Sequence, residues 1–390
     1  MSIASLFYRR PANTVLTASL TVALSLATLS AVQAGPREQA RRIHDRIAGV
    51  PPTNTVLDSM TTAIIGGNAE GAVDMAMQNP NFLNVTVKNM VMPWTNKEQT
   101  VFAPLNDTAA TLIGLIRDGA DFRTALYGNV IYTGNDGSLP AYSNSNNNHY
   151  IQMEHRNLNL RSVLQPGTQS SVTGLQSNAV AGVLTTRQSA RAFFYAGTNR
   201  AMFRFTMMNY LCRDLEQVKD VTRISDRIRQ DVSRSPGGDS SVFLNNCLGC
   251  HAGMDGMAGA TAYYNWGPAE FDPDADPDSQ SLTYLTTAQT FDIEGNEYTS
   301  RVTPKHRINP NNFPYGYIIG DDSWINYWRT GINANLGWAN NSPQQPTTGS
   351  GMASLGQELA NTTAFARCQV IKVYRHVCLN DPDETTLSAI

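Results

Sequence analysis

Hydrophobic residues recur at helical spacing in several segments of this 390-residue chain. In REQARRIHDRIAG, Ala40, Ile43 and Ile47 share one helix face, and Gly49 ends the segment before two prolines. Glycines also end TVLDSMTTAIIGG and LNDTAATLIGLIRDG, and the stretch 187–218 is long, periodic and rich in Phe and Met. Apolar residues also recur at helical spacing in the C-terminal segment SLGQELANTTAFARCQVIKVYRHVC. Strand patterns are few, and the best candidate for a short hairpin is NVIYTGNDG. The pattern therefore predicts a mainly α protein with long polar loops.

The first 34 residues have the pattern of a secretory signal peptide. Arg9 and Arg10 precede an uncharged apolar run over residues 15–32, and Val-Gln-Ala at 32–34 is a small-residue cleavage pattern. The alternative is a single membrane anchor, since the uncharged stretch is long enough to span a bilayer. We expect cleavage after Ala34 and a periplasmic protein without a stable membrane span.

The charge of the mature chain bears on its partners. Removing residues 1–34 takes away two Arg and no acid, so the formal charge moves from −3 to −5. A mildly acidic chain without a basic run lacks the usual footprint of a nucleic-acid or anionic-lipid binder. We therefore expect no nucleic-acid partner.

The chain has five cysteines, at positions 212, 247, 250, 368 and 378. In an exported protein, thiols that are not otherwise used tend to pair. Cys368 and Cys378 are ten residues apart in a predicted helix, which places them about 15 Å from each other and beyond disulfide reach. Any disulfide outside the 247/250 pair therefore joins Cys212 to Cys368 or to Cys378, and the alternative is three free thiols.

The sequence CLGCH at 247–251 has the spacing that covalent haem attachment requires. Two thiols form thioether bonds with the two porphyrin vinyl groups, and the following imidazole binds the iron. Two other kinds of site use a pair of cysteines at this spacing. A thioredoxin-like redox pair would follow a buried strand, and a zinc site would need a second Cys or His pair nearby. The sequence around residues 247–251 has neither pattern. We predict one haem c attached through Cys247 and Cys250, with His251 as iron ligand and its other ring nitrogen donating to a backbone carbonyl.

The sixth iron ligand decides what such a haem does. Met352, His306, His149 and His155 are the candidates, and the sequence does not choose among them. A filled sixth position favours electron transfer, which we expect here, with a redox protein or a small molecule as donor or acceptor. An open position would indicate a peroxidase- or oxygenase-like enzyme with His149 or Glu154 as distal acid–base group. A third alternative is a binding protein of the cell envelope in which the haem is structural. We assign no catalytic residue from the sequence.

Three stretches of the chain, one of which contains the motif, resemble segments of a known protein family. AGVLTTRQSA with TNRAMFRFTMMNYLC, then CLGCHAGMDGMAG, then FARCQVIKVYRHVCLNDPDE are similar to segments of the planctomycete-type cytochrome c proteins, which are large exported monohaem proteins. The resemblance covers about half of the mature chain. Asp255 matches the acidic position of that family's C-x-x-C-H-x-x-(apolar)-D-P-x-G signature, whereas Gly256 stands where the family has Pro.

The resemblance implies a redox role, a cytochrome-c-like haem region and a disulfide between Cys212 and Cys368 that leaves Cys378 free. Together with the helical pattern it gives three expected regions. These are a signal peptide at 1–34, an N-terminal helical region at 35–175 and a haem region at 176–390 that includes the terminal helix.

Overall fold

The computed structural model describes residues 34–268, 276–293, 295–339 and 347–389. Residues 1–33 of the expected signal peptide lie outside this range. The described residues are mainly helical with small antiparallel sheets, which confirms the predicted mainly α class. Within them, no helix is long and apolar enough to cross a membrane.

The α-helices are joined by short 3₁₀ turns, and two π-helical segments occur at Phe82–Val87 and Phe243–Cys247. In chain order the α-helices are α1 (Pro36–Ala48), α2 (Asn54–Ile65), α3 (Ala69–Met77), α4 (Lys88–Val91), α5 (Asp107–Arg117), α6 (Asn148–His155), α7 (Leu160–Val163), α8 (Gln169–Thr173), α9 (Arg187–Phe193), α10 (Arg200–Leu211), α11 (Ser240–Val242), α12 (Leu248–Ala258), α13 (Gly351–Ala360), α14 (Thr363–Cys378) and α15 (Glu384–Ala389).

The strands pair two by two in antiparallel ladders. They are β1 (Ile131–Gly134) with β2 (Leu164–Gly167), β3 (Tyr264–Trp266) with β4 (Leu282–Tyr284), β5 (Gln289–Ile293) with β6 (Asn296–Ser300), and β7 (Ser323–Asn326) with β8 (Thr347–Ser350). The strand predicted in NVIYTGNDG is present as β1, but the predicted local hairpin is wrong. Ile131 lies opposite Gly167, and α6 and α7 lie in the chain between the two strands. β1 therefore pairs with a distant segment and not with the residues that follow it directly.

Two predicted helices are each divided in the structure. The stretch 187–218 contains α9 and α10, separated at Ala196 and Asn199, which both have left-handed backbone conformations with φ of 57° and 59°. The C-terminal stretch contains α13 and α14, and the Thr362 side chain accepts a hydrogen bond from Phe365 N to begin α14. In both places the apolar residues keep their helical spacing across the point where one helix ends and the next begins. The sequence pattern therefore does not indicate the end of the first helix.

The helices belong to two compact units, residues 34–45 with 50–76 and residues 46–49 with 77–389. In the smaller unit an ion pair between Arg37 and Asp58 joins α1 to α2. The Thr53 side chain caps α2 by accepting from Val56 N. These contacts fit the two helices predicted for this part of the chain.

The larger unit has one main hydrophobic core with members on both sides of the expected boundary at residue 175. Its buried residues include Leu112, Phe203, Met207, Met254, Leu355 and Phe365. The division into regions 35–175 and 176–390 remains a prediction.

A disulfide joins Cys212, just after α10, to Cys368 in α14, with 5.3 Å between the Cα atoms. Cys378 is an exposed free thiol at the end of α14. The structure thus has the pairing that the resemblance implied and resolves the two alternatives left by residue spacing. A hydrogen bond from Gln369 Nε2 to Tyr210 O, 3.1 Å long, joins the same two helices.

Candidate functional site

The C-x-x-C-H motif lies in one continuous helical run formed by α11, the π segment Phe243–Cys247 and α12. The run begins at Asp239, whose side chain accepts a 2.8 Å hydrogen bond from Ser241 N. Cys247 is the last residue of the π segment, a rare conformation that is frequent at functional sites. Because side chains four residues apart share a helix face, Cys247, His251 and Asp255 lie in one row.

The two motif cysteines are free thiols. Cys247 is half-buried and Cys250 is buried, and neither is in a disulfide although the chain does bridge Cys212 to Cys368. Burial, with a smaller contribution from the charge of Glu216, raises the pKa of the Cys250 thiol. This thiol therefore remains protonated at neutral pH.

The segment that follows α10 lies directly against the motif. Asp220 N donates a 3.0 Å hydrogen bond to Gly249 O, and Lys219 Nζ donates one to Asn245 O. A Cβ atom on Gly249 would lie 2.4 Å from Lys219 Cγ, so this position between the two cysteines has no room for a larger residue. The Cys250 thiol lies 3.6 Å from Leu215 O in the same segment.

The ring of His251 is held by a carboxylate. Its Nδ1 is 2.9 Å from Asp255 Oδ2, one helical turn further along α12. The predicted backbone-carbonyl partner is therefore wrong, because the i+4 side chain on the same helix face reaches Nδ1 first. No other hydrogen bond to this ring is formed among the described residues, so Nε2 is the ring nitrogen left for a metal ion.

Asp255 belongs to a buried cluster of charged groups. Its side chain is fully buried, and Arg200 donates to both carboxylate oxygens, from Nε to Oδ1 at 3.0 Å and from an Nη to Oδ2 at 3.2 Å. Burial alone would raise the pKa of Asp255, but Arg200 and then His251 outweigh it and hold the pKa well below its usual range. The carboxyl group is therefore ionised.

The cluster continues away from the motif. Arg200 also pairs with Asp231 at 2.8 Å, and Asp231 lies 3.3 Å from Arg229. An Nη of Arg229 is 2.9 Å from His306 Nδ1. Burial, followed by the charge of Arg229, lowers the pKa of His306 well below its ordinary value, so this imidazole is neutral and accepts the bond at Nδ1.

Two of the candidate sixth ligands have both ring nitrogens occupied. Gly134 N donates to His149 Nε2 at 2.8 Å, and His149 Nδ1 lies 2.7 Å from Pro140 O. His306 accepts from Arg229 and is also hydrogen-bonded to the backbone of Thr261.

The two remaining candidates lie in α6 and α13. His155 is exposed at the end of α6, and Met352 is buried in the main core. Glu154, the other candidate distal acid–base residue, pairs with Lys88 and accepts from Leu105 N at 2.7 Å. Over the described ranges, no hydrogen bond or ion pair joins any of the five candidates to the motif residues 247, 250 and 251.

A group of exposed apolar side chains lies beside the motif. We call Val221, Leu244 and Ile332 the apolar patch, and each is between 52% and 59% exposed. A Cβ atom on Gly249 would lie 3.2 Å from Val221, Leu244 precedes Cys247 by one turn, and the backbone N–H of Ile332 is hydrogen-bonded to Asp220.

No family model, curated protein or solved structure matches this chain. In the part of the chain that the structure describes, no group of three or more His, Cys, Asp or Glu side chains is arranged to bind a metal ion.

Proposed function

We propose that this protein attaches one haem c through thioether bonds to Cys247 and Cys250, with His251 as iron ligand, and that it is an exported electron-transfer protein. The observation that carries the proposal is the donor set. Two neighbouring free thiols stand on the same helical run as an imidazole whose Nδ1 is already bonded, which leaves Nε2 for the iron.

The use of cysteines in the rest of the chain supports this donor set. One pair, Cys212 and Cys368, is bridged, whereas the pair in the motif is not. Exported proteins seldom keep two adjacent thiols unused, because an oxidising compartment would pair them. Thioether formation would use both thiols and keep them from pairing.

The apolar patch supports the proposal in a second way. Exposed aliphatic side chains of this size are costly when they stand together, since each buried methylene group is worth about 0.8 kcal/mol. A porphyrin held by Cys247 and Cys250 would have apolar faces of the kind that could cover such side chains. Those residues come from the segment after α10, from the π segment and from the turn around Ile332.

The proposal includes the finer features that the sequence suggested. We assign the chain to the planctomycete-type cytochrome c family, with a cytochrome-c-like haem region at 176–390 packed on a helical region at 35–175. Removal of residues 1–34 would release it into the periplasm. A redox protein or a small molecule would serve as electron donor or acceptor.

A haem enzyme with an open sixth position is the second candidate, and two observations favour it. The ring nitrogens of His149 and His306 are both occupied, which removes two of the four candidate sixth ligands. The carboxylate of Asp255 on His251 also differs from the backbone carbonyl that we predicted together with the carrier function.

The test is co-expression of the full chain with haem-attachment machinery, followed by intact-mass measurement and reduced spectra with and without carbon monoxide. We expect one covalent haem and a reduced c-type spectrum that carbon monoxide does not change. A spectrum that shifts with carbon monoxide would favour the enzyme.

Two cysteine variants make the assignment specific. The double variant C247S/C250S should lose the covalent haem, whereas C378S, which removes an exposed free thiol, should retain it. Wild-type protein without covalent haem in the presence of the machinery would refute both candidate functions.

A further inference from the structure

The partner of His251 is a buried carboxylate, and this contact has a consequence for the iron. We propose that Asp255 is a positioning residue that orients His251 and lowers the reduction potential of the bound haem. The inference rests on the proposed haem attachment, and it goes beyond it by naming the group that sets the potential.

The hydrogen bond between His251 and Asp255 bears on the basicity of the imidazole. With Nε2 as the iron ligand, Nδ1 carries the proton and donates it to Asp255 Oδ2 over 2.9 Å. A carboxylate acceptor raises the basicity of a metal-bound imidazole more than a neutral carbonyl does. A more basic imidazole stabilises ferric over ferrous iron, and the potential falls.

The carboxylate of Asp255 lies in the protein interior. The Asp255 side chain is fully buried, so its charge acts in a medium of low dielectric and is screened little by salt. The two bonds from Arg200 fix both oxygens, which prevents the carboxylate from rotating away from the ring. The same guanidinium offsets part of the negative charge, so Asp255 and Arg200 act on the iron in opposite directions.

The contact with His251 distinguishes Asp255 from the second carboxylate of the cluster. Asp231 pairs with the same Arg200 at 2.8 Å, and its side chain is only 9% exposed, but it makes no hydrogen bond to His251. Asp231 is therefore a matched control. It shares the cationic partner of Asp255, is somewhat less buried, and differs in having no contact with the iron ligand.

The experiment is a spectroelectrochemical titration of the full-length holoprotein and its D255N and D231N variants. Asn keeps an acceptor oxygen for His251 and removes the charge. At a fixed applied potential, D255N should raise the ratio of ferrous to ferric protein at least tenfold, which is 59 mV for a one-electron couple. D231N should change this ratio less than threefold.

The outcomes separate the inference from the proposed function. Absence of covalent haem from the wild type would refute the function and the inference with it. A haem-loaded D255N with a ratio within threefold of wild type would overturn the inference alone, as would an equal shift in D231N, because the effect would then come from buried charge in general.

A second variant covers the case in which D255N does not fold. R200Q removes the positive charge and leaves Asp255 bonded to His251 and to Arg229 N, which lies 3.4 Å from Oδ2. This variant should lower the ratio of ferrous to ferric protein at least threefold. An unchanged or higher ratio would contradict the proposal.

Discussion

The disulfide between Cys212 and Cys368 closes a loop with a sequence separation of 156 residues, and the C-x-x-C-H motif lies inside that loop. The bridge ties α10, which supplies Arg200, to α14. We therefore expect the double variant C212S/C368S to loosen the segment that carries the candidate site and to destabilise the protein.

The magnitude follows from the length of the loop. Loop-closure entropy gives about 5 kcal/mol at 25 °C for a loop of this length, and measured losses for native disulfides are about 2 to 5 kcal/mol. Cys368 is also almost fully buried, so a Ser hydroxyl at this position would need a hydrogen-bond partner. We expect the free energy of unfolding to fall by about 2 to 5 kcal/mol.

The assay is urea denaturation of the full-length protein followed by tryptophan fluorescence, with C378S as the control. Cys378 is exposed and unbridged, so its replacement by Ser should change the free energy of unfolding by less than about 0.5 kcal/mol. Peptide mapping under non-reducing conditions should find residues 212 and 368 in one cross-linked peptide.

Two results would refute this reasoning. One is a double variant whose free energy of unfolding lies within about 1 kcal/mol of wild type, since the loop entropy would then not act on the unfolded state. The other is a cross-linked peptide that contains Cys378, which would mean that α14 packs against α10 in another position than in this structure.

Two further predictions concern buried groups near the candidate site. Burial lowers the pKa of Lys305 from its ordinary value of 10.5 to about 7. Between these two pH values the unfolded chain binds more protons than the folded protein does. The free energy of unfolding should therefore rise by about 3 to 4 kcal/mol from pH 7 to pH 10. Denaturation curves across this range should show a smaller rise for K305M, and an equal rise would contradict the assignment. A Cβ atom on Gly253 would lie 1.7 Å from Trp328 Nε1, so G253A should cost about 1 to 3 kcal/mol in a denaturation assay. G137A is its control, because a Cβ atom there meets nothing within 4 Å, and equal losses for the two variants would count against the close packing of α12 on Trp328.

The helical class of the protein could be predicted from the sequence because the apolar period and the glycine stops act locally. The break between α9 and α10 could not, because Ala196 and Asn199 adopt left-handed backbone conformations that the surrounding Phe and Met pattern does not indicate. The partner of β1 was missed for a related reason. It lies 30 residues along the chain, and the nearby Asn-Asp-Gly turn suggested a local hairpin.

The candidate site divides in the same way between local and distant residues. The cysteines and His251 are adjacent in sequence, and Asp255 follows at the i+4 spacing that allows a contact on a helix, so this carboxylate partner could have been predicted. Arg200 and Asp231 could not, since they come from α10 and from a loop, 55 and 24 residues away from Asp255. Only the tertiary fold places them around one carboxylate.

If Asp255 has the proposed role, its buried cluster accounts in part for the amount of protein around the motif. Asp255 in α12 is reached by Arg200 from α10, and Arg229 extends the cluster to His306 in a 3₁₀ turn. Burying a charge costs several kcal/mol unless it is paired, and removing one partner of such a pair typically costs about 3 to 5 kcal/mol. A backbone carbonyl can also orient a metal-bound histidine, and it carries no net charge. If Asp255 sets the potential of the iron, the residues that enclose and neutralise it are part of the redox device, and the protein around the motif is larger because a carboxylate, unlike a carbonyl, must be enclosed.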